Sequence, residues 1–128
     1  MNARLARACA LAFLALAAVA SRAQQAPVAG DAAAGGMAFL QCADCHSTTT
    51  ANGTGPVLKN IVGRRAGSQG DFHYSDAMGK SKLVWDAKTL DAFLANPKAT
   101  LPGTSMDFPG VSDAAERANL VAYLATLK

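Results

Sequence analysis

Cys42-Ala43-Asp44-Cys45-His46 places two thiols and an imidazole side by side on one short stretch of chain. A C-x-x-C-H run reads as a c-type haem attachment site. The spacing has a chemical reason. Two thiols three positions apart can each form a thioether to the two vinyl groups of one porphyrin, and the adjacent imidazole can reach the iron from one face. The tether keeps the cofactor in place, and the iron carries the chemistry. Two cysteines of an exported chain could instead close a disulfide. The following His, and what lies downstream, favour the haem.

Such a site needs export, and the N-terminus supplies the pattern. Arg4 and Arg7 form a positive region, Ala8 to Ala20 is apolar, and Ser21-Arg22-Ala23 offers a small-x-Ala cleavage site. This is the form of a secretory signal peptide. The apolar run is shorter than the roughly 20 residues that a membrane span requires. We expect a signal peptide at 1–23, a flexible lead at 24–29 and one domain at 30–128. Cys9 falls in the discarded segment, so Cys42 and Cys45 are the cysteines of the mature chain.

The remaining residues suffice for one small domain. The leader holds three of the 12 Lys and Arg residues (Arg4, Arg7, Arg22) and none of the nine acids, so the mature chain carries nine bases and nine acids. A formal charge of zero excludes the concentrated basic surface of a nucleic-acid binder. Lys59, Arg64, Arg65, Lys80, Lys82, Lys88 and Lys98 lie mid-chain, either as a solvated face or as a modest docking patch.

The elements that must position the site read as helices. Asp31 can cap a helix over Ala32 to Gln41, with Met37, Phe39 and Leu40 as its large apolar residues. Gly35 and Gly36 weaken it by about 1 kcal/mol each relative to Ala, which close packing against another helix would explain. Asp86 can cap a second helix with Leu90, Phe93 and Leu94 on one face, stopped at Asn96-Pro97. Ser112 can cap a third, with Asp113 and Glu116 in the first turn, where the helix dipole favours negative charge. Its apolar residues are Leu120, Val121, Leu124 and Leu127. Ser75 to Lys80 adds a short helical turn. No strand period and no internal repeat is present. Ser47 to Trp85 is a long stretch of little periodicity, unusual in a small domain. It makes sense if it wraps a large apolar group that supplies the missing core.

A haem held by His46 has a second axial position. The donors available are Met37, Met78, Met106 and His73. Met37 lies on the helix leading into the attachment site, badly placed for the opposite face. His73 reads as a solvated loop histidine, and Asn52-Gly53-Thr54, though a glycosylation sequon, as an ordinary loop. Met106 sits in Leu101-Pro102-Gly103-Thr104-Ser105-Met106-Asp107-Phe108-Pro109-Gly110, stiffened by prolines and turned by glycines. Such a loop can close over the far face, and Met106 is the expected donor.

At this point the chain resembles the class I cytochromes c, mitochondrial-type and related bacterial monohaem proteins, over roughly Gly30 to Lys128. The resemblance rests on C-A-D-C-H, Gly55-Pro56-x-Leu58, Gly63-Arg64, Tyr74-x-Asp76-Ala77, Trp85, Asn96-Pro97-Lys98, Pro102-Gly103-Thr104-x-Met106-x-Phe108-x-Gly110 and Arg117-x-x-Leu120-x-x-Tyr123-Leu124, all in order. It implies an all-α fold of three main helices, with short turns and long loops around one haem c bound through Cys42 and Cys45. It implies His46 and Met106 as iron ligands and the Pro56 carbonyl as acceptor for the other His46 ring nitrogen. Arg64, Tyr74 and Trp85 would face the haem propionates, and Thr104 would brace the Met loop. Phe39 would pack on Leu120 and Tyr123, with Gly35 or Gly36 permitting the crossing.

Some positions depart from the family. Phe39 stands three residues before Cys42 rather than four, a spacing some bacterial relatives share. Phe93 and Met78 replace polar residues of the presumed pocket, which bears on the reduction potential. Lys59 and Lys98 fall in regions of the family's lysine ring, but Ala99 and Ser105 replace other lysines, so electrostatic steering should be weaker.

The reading is a monomeric periplasmic one-electron carrier, not an enzyme, with no small-molecule substrate. The partners implied by the resemblance are a cytochrome bc complex or dehydrogenase as donor, and a terminal oxidase, peroxidase or reaction centre as acceptor. The alternatives are an electron-transfer subunit dedicated to one dehydrogenase, an open-site haem enzyme or gas-binding protein, and a haem-free thiol or zinc protein.

Overall fold

The computed structural model describes residues 29–128. The expected signal peptide and most of the lead lie outside them. Helices form at α1 (Ala32–Ala38), α2 (Leu40–Ala43), α3 (Asp76–Lys80), α4 (Ala87–Ala95), α5 (Pro97–Thr100) and α6 (Ala114–Thr126). The fold is all-α, three main helices (α1, α4, α6) with short helical turns between them. The strand-like feature is a single antiparallel bridge, Arg65 to Val84.

Every helix except α2 starts where a side-chain oxygen takes an orphan N–H. Asp31 accepts from the amides of Ala33 and Ala34 at 2.8 and 3.3 Å. Asp86 takes Thr89 N–H at 2.7 Å, and Ser75 takes Met78 N–H at 3.3 Å. The cap of α6 is Asp113, bonded to Glu116 N–H at 2.7 Å, one residue later than the expected Ser112. The Ser112 carbonyl is engaged elsewhere, by Arg117 at 3.0 Å.

Two boundaries differ from the sequence pattern. The helix expected over Ala32 to Gln41 is divided at Phe39, the C-cap of α1 and N-cap of α2. The backbone stays right-handed helical at Phe39 (φ −63°, ψ −18°), which lies one turn after Gly35 on the face against α6 and is buried, while Met37 and Leu40 are exposed. Asn96-Pro97 ends α4 as expected and also begins α5. Asn96 is extended, its side chain accepts from Ala99 N–H at 3.0 Å, and Pro97 sits at the first helical turn, where a missing N–H costs nothing.

Helix α1 crosses α6 at the position of Gly35. A Cβ there would overlap the Asn119 carbonyl and stand 2.8 Å from the Tyr123 Cβ. At Gly36 a Cβ would only touch the Tyr123 ring at 3.4 Å, so Gly35 is the residue the crossing demands. Phe39 meets Tyr123 with ring centroids 5.1 Å apart and shares the core with Leu120, Val121 and Leu124. Asp31 N–H donates to the Asn119 side chain at 2.7 Å, fixing the entry of α1 against α6. Helix α4 packs on α6 and contributes Leu90, Phe93 and Leu94 to the same core.

The stretch from Ser47 to Trp85 is ordered by sparse backbone bonds. Leu58 N–H reaches Ser47 O at 2.8 Å, Ala66 N–H reaches Leu83 O at 2.9 Å, and Trp85 N–H reaches Arg64 O at 2.9 Å. Asn60 adopts a left-handed φ of 54° and ties its N–H to Leu127 O at 2.9 Å. These contacts close the segment into loops, several of whose residues line one side of a cavity.

Candidate functional site

The cavity has a volume of about 360 Å³ and opens to solvent. Its walls are mostly apolar: Phe39, Leu90, Phe93, Leu94, Leu120 and Leu124 come from the helical core. The nine site residues expected from sequence all line it: Cys42, Cys45, His46, Pro56, Arg64, Tyr74, Trp85, Thr104 and Met106. They come from α2, the long Ser47–Trp85 stretch and the loop after α5, so the fold assembles what the chain holds far apart.

Helix α2 presents the first thiol. Cys45 N–H and His46 N–H both return to Cys42 O, at 3.1 and 2.9 Å, closing a turn that sets the two sulfurs and the imidazole at one wall. Both cysteines are free rather than joined to each other. Burial pushes the Cys42 thiol above its ordinary value, with Cys45 and Glu116 adding to the rise. The thiol form is thus favoured on this apolar wall.

His46 is held from behind. Its Nδ1 lies 2.7 Å from the Pro56 carbonyl, a geometry in which Nδ1 carries the proton and donates. This tautomer leaves Nε2 with its lone pair for a metal. The ring also needs the space next to Gly55, where a Cβ would overlap Cε1 and lie 2.7 Å from Nδ1. Gly55 and Pro56 therefore set the imidazole together, one by vacating room and the other by accepting a proton bond.

Met106 faces the same cavity from the loop after α5. Thr104 Oγ1 accepts from Met106 N–H at 3.3 Å, as a brace for the loop would. Farther along, Val111 N–H reaches Leu94 O at 2.8 Å, anchoring the loop exit to α4. Arg117 closes the anchor. Its Nε donates to Asp91 at 2.8 Å and its NH1 to the carbonyls of Val111 and Ser112.

Arg64 and Tyr74 share a wall. The guanidinium donates to Lys59 O and Val57 O, each at 3.0 Å, and to Gln69 Oε1 at 3.3 Å. Partial burial lowers the Arg64 pKa and raises that of Tyr74, which Arg64 partly offsets. An arginine kept this far from water is a ready counter-charge for an anion in the cavity. Trp85 is buried and meets Phe93 edge-on at 5.0 Å.

Several contributors carried no sequence signal. Phe72 lines the cavity and stands edge-on to Tyr74 at 4.8 Å. Gln69 reaches Arg64 from a glycine-rich loop. Asn52, part of the sequon, takes Val57 N–H at 2.9 Å and donates to Asp71 O at 3.1 Å. Lone polar residues in aperiodic chain reveal no partner until the loop is folded. Met37 does not line the cavity, and His73 is exposed.

These donors fit a tethered porphyrin: an apolar slot, two thiols and an oriented imidazole at one wall, the thioethers of Met106 and of the core residue Met78 in the same cavity, and a guanidinium on its side. Among the described residues, no group of three or more His, Cys, Asp or Glu could hold a metal ion. Fold and site together define a small all-α haem protein. Residues 32–128 match the family model described as cytochrome c. The chain is 50% identical over 100 residues to cytochrome c2 of Rhodomicrobium vannielii, covering 77% of this chain and 80% of that one. It is 43% identical over 102 residues to cytochrome c2 of Rhodoblastus acidophilus, with 78% and 95% covered. Among solved structures it is similar to cytochrome cH from Methylobacterium extorquens, with a TM-score of 0.73 and 48% identity over 76% of this chain and 99% of that chain. The chain belongs to the cytochrome c family, as a bacterial class I member. It is a monohaem electron carrier with a covalent c-type haem and its iron.

Proposed function

We propose that this chain is a periplasmic shuttle with no enzymatic turnover, in which Cys42 and Cys45 would tether the haem and His46 Nε2 and Met106 Sδ would hold its iron. The observation that carries this reading is the imidazole pinned through Nδ1 to Pro56 O at 2.7 Å, in a cavity that Met106 also lines. The haem, when bound, supplies one-electron cycling between ferric and ferrous iron. Arg64 and Tyr74 would neutralise and hydrogen-bond the propionates, Trp85 would close the apolar wall around them, and Thr104 braces the Met106 loop. With His46 and Met106 both holding the iron, no position would be left for a substrate.

Export through a leader cleaved after Ala23 places the protein in the periplasm, where haem attachment and redox partners are accessible. No helix among the described residues is long and apolar enough to cross a membrane. The partners we propose are a cytochrome bc complex or a dehydrogenase on the donor side, and a terminal oxidase or reaction centre on the acceptor side. They engage a monomer in small transient encounters. The likeness to proteins named cytochrome c2 supports an electron carrier.

Visible spectra test the ligation. The oxidised protein should show the weak red band of a Met–iron bond, and Met106→Ala should abolish it while leaving the haem attached. The wild-type ferrous protein should bind carbon monoxide slowly, the variant rapidly. A red band indifferent to the substitution, or rapid carbon monoxide binding by the wild type, would assign the sixth position elsewhere and favour an open-site haem protein.

A further inference from the structure

No lysine lines the cavity; its charged lining residues besides His46 are Arg64 and Asp107. The Arg64 guanidinium is held by the carbonyls of Lys59 and Val57 and is assigned above to the propionates, so it is not part of the exposed rim. Asp107 is different. It follows Met106 directly, and its side chain is 93% exposed. Its cation is Lys98, 2.8 Å away and itself 64% exposed. An ion pair so open to water is weak, and a cation on another protein can compete for the carboxylate.

The attachment-site wall continues the same sign. Gln41, on the cavity wall beside Cys42, donates to Glu116 Oε1 at 2.9 Å. Glu116 forms no ion pair among the described residues. Asp44 is exposed between the two cysteines. Asp107 thus lines the cavity, Glu116 and Asp44 lie beside its attachment-site wall, and the cations on this side are Lys98, paired to Asp107, and the half-buried Arg64. Next to them lies an apolar face. Met37 and Leu40 are 70% and 63% exposed. They are one turn apart on the α1–α2 stretch that leads directly to Gln41 and Cys42, a spacing that puts them on one side.

We propose that the docking face of this carrier is apolar at Met37 and Leu40 and acidic around the cavity, and that it fits a redox protein presenting an apolar patch rimmed by Lys or Arg. The inference rests on the electron-carrier reading above and specifies the partner of that same site. The partner's basic residue takes Asp107 from Lys98, and its apolar patch covers Leu40. Opposite charges steer the encounter, while apolar burial holds it.

The test uses the haem-loaded mature chain in its ferrous form and two one-electron oxidants of opposite sign. Tris(phenanthroline)cobalt(III) is an apolar cation reduced to cobalt(II); hexacyanoferrate(III) is an anion reduced to hexacyanoferrate(II). Between ionic strengths of about 0.01 M and 0.15 M, the cobalt rate should fall about threefold or more, while the hexacyanoferrate rate stays level or rises. Asp107→Lys should reverse both responses and raise the hexacyanoferrate rate at low salt. Glu116→Gln, remote from the Met106 loop, should shift them the same way by less. With membranes of the source bacterium as oxidant, Leu40→Asn and Asp107→Lys should each slow oxidation severalfold. A wild-type hexacyanoferrate rate that falls with salt, or an Asp107→Lys variant that membranes oxidise faster, overturns the acidic docking face and leaves the carrier reading intact. Failure of both reagents to oxidise the protein overturns the carrier reading itself.

Discussion

The α1–α6 crossing and the Met106 loop border the same cavity, but they are built on different physics. The crossing is a helix pair locked by shape. Gly35 sits against the Asn119 carbonyl, Phe39 meets Tyr123, and Leu120 is 1% exposed beneath them. The loop from Leu101 to Ser112 has no helix; it adds Val111 to the core and rests Leu101 and Phe108 against it, and is otherwise fixed by a few polar ties: Thr104 to Met106 N–H, Leu94 O to Val111 N–H, and Arg117 to two carbonyls. Packing of the first kind spreads its free energy over many contacts and fails with the whole domain. A loop on a few ties can detach locally while the domain stays folded. The thiols and His46 follow the rigid region and Met106 the adjustable one, so under the proposed ligation the two sides should fail separately.

The strongest way to break the rigid half is Gly35→Ala. The new methyl must displace backbone at Asn119, and backbone on a packed helix cannot yield as a flexible side chain can. The expected loss is about 3 kcal/mol, read as a lower urea midpoint with an unchanged slope. Red band and helix signal should disappear together. Gly36→Ala serves as the control, because its methyl meets the Tyr123 ring only at contact distance.

The adjustable half is sharpened by Arg117→Met, which keeps the packing stem and removes the bonds to Asp91, Val111 and Ser112. Hydrogen bonds to a charged group contribute about 2 kcal/mol when little water competes, and this side chain is only 14% exposed. The global loss should be below that of Gly35→Ala. The red band, however, should fade on warming well before the helix signal does. Coincident loss of the two signals would show that loop and scaffold form one cooperative unit.

The same contrast explains what could be read from the chain. The Cys42–His46 run is local chemistry, so its spacing suffices to name it. Helices α4 and α6 carry regular apolar periods and clear caps, and sequence placed them within a residue or two. Ser112 and Asp113 are both good caps; the choice falls to Asp113 because Arg117 holds the Ser112 carbonyl, a contact made by the folded helix itself. Which of Gly35 and Gly36 faces α6 depends on the crossing angle, which periodicity does not encode. Apolar type alone also suggested a continuous helix through Leu40. Phe39 faces α6 one turn after Gly35, and Met37 and Leu40 lie outside that face. The Ser47–Trp85 walls were least readable, because Asn52, Gln69 and Phe72 acquire meaning only once the loop closes around the cavity.

The smallest effect separates the halves most cleanly. Asp86 caps α4 at the end remote from Asp91 and Leu94, the residues that anchor the Met106 loop. Its carboxylate accepts Thr89 N–H at 2.7 Å, and bonds to Thr89 hold its pKa below the ordinary 3.8. A lowered folded pKa means that the charged form binds the helix end better than the protonated one. The stabilisation is therefore complete above the ordinary value and is lost as the pH falls through the folded one. Asp86→Ala should cost about 1 kcal/mol at neutral pH. Urea titrations of the two proteins should converge as the pH is lowered below 3.8. The red band should melt with the domain in both. A variant in which it fades first would mean that fraying at the start of α4 reaches Leu94, and that the loop anchor is less independent of the scaffold than its few bonds imply.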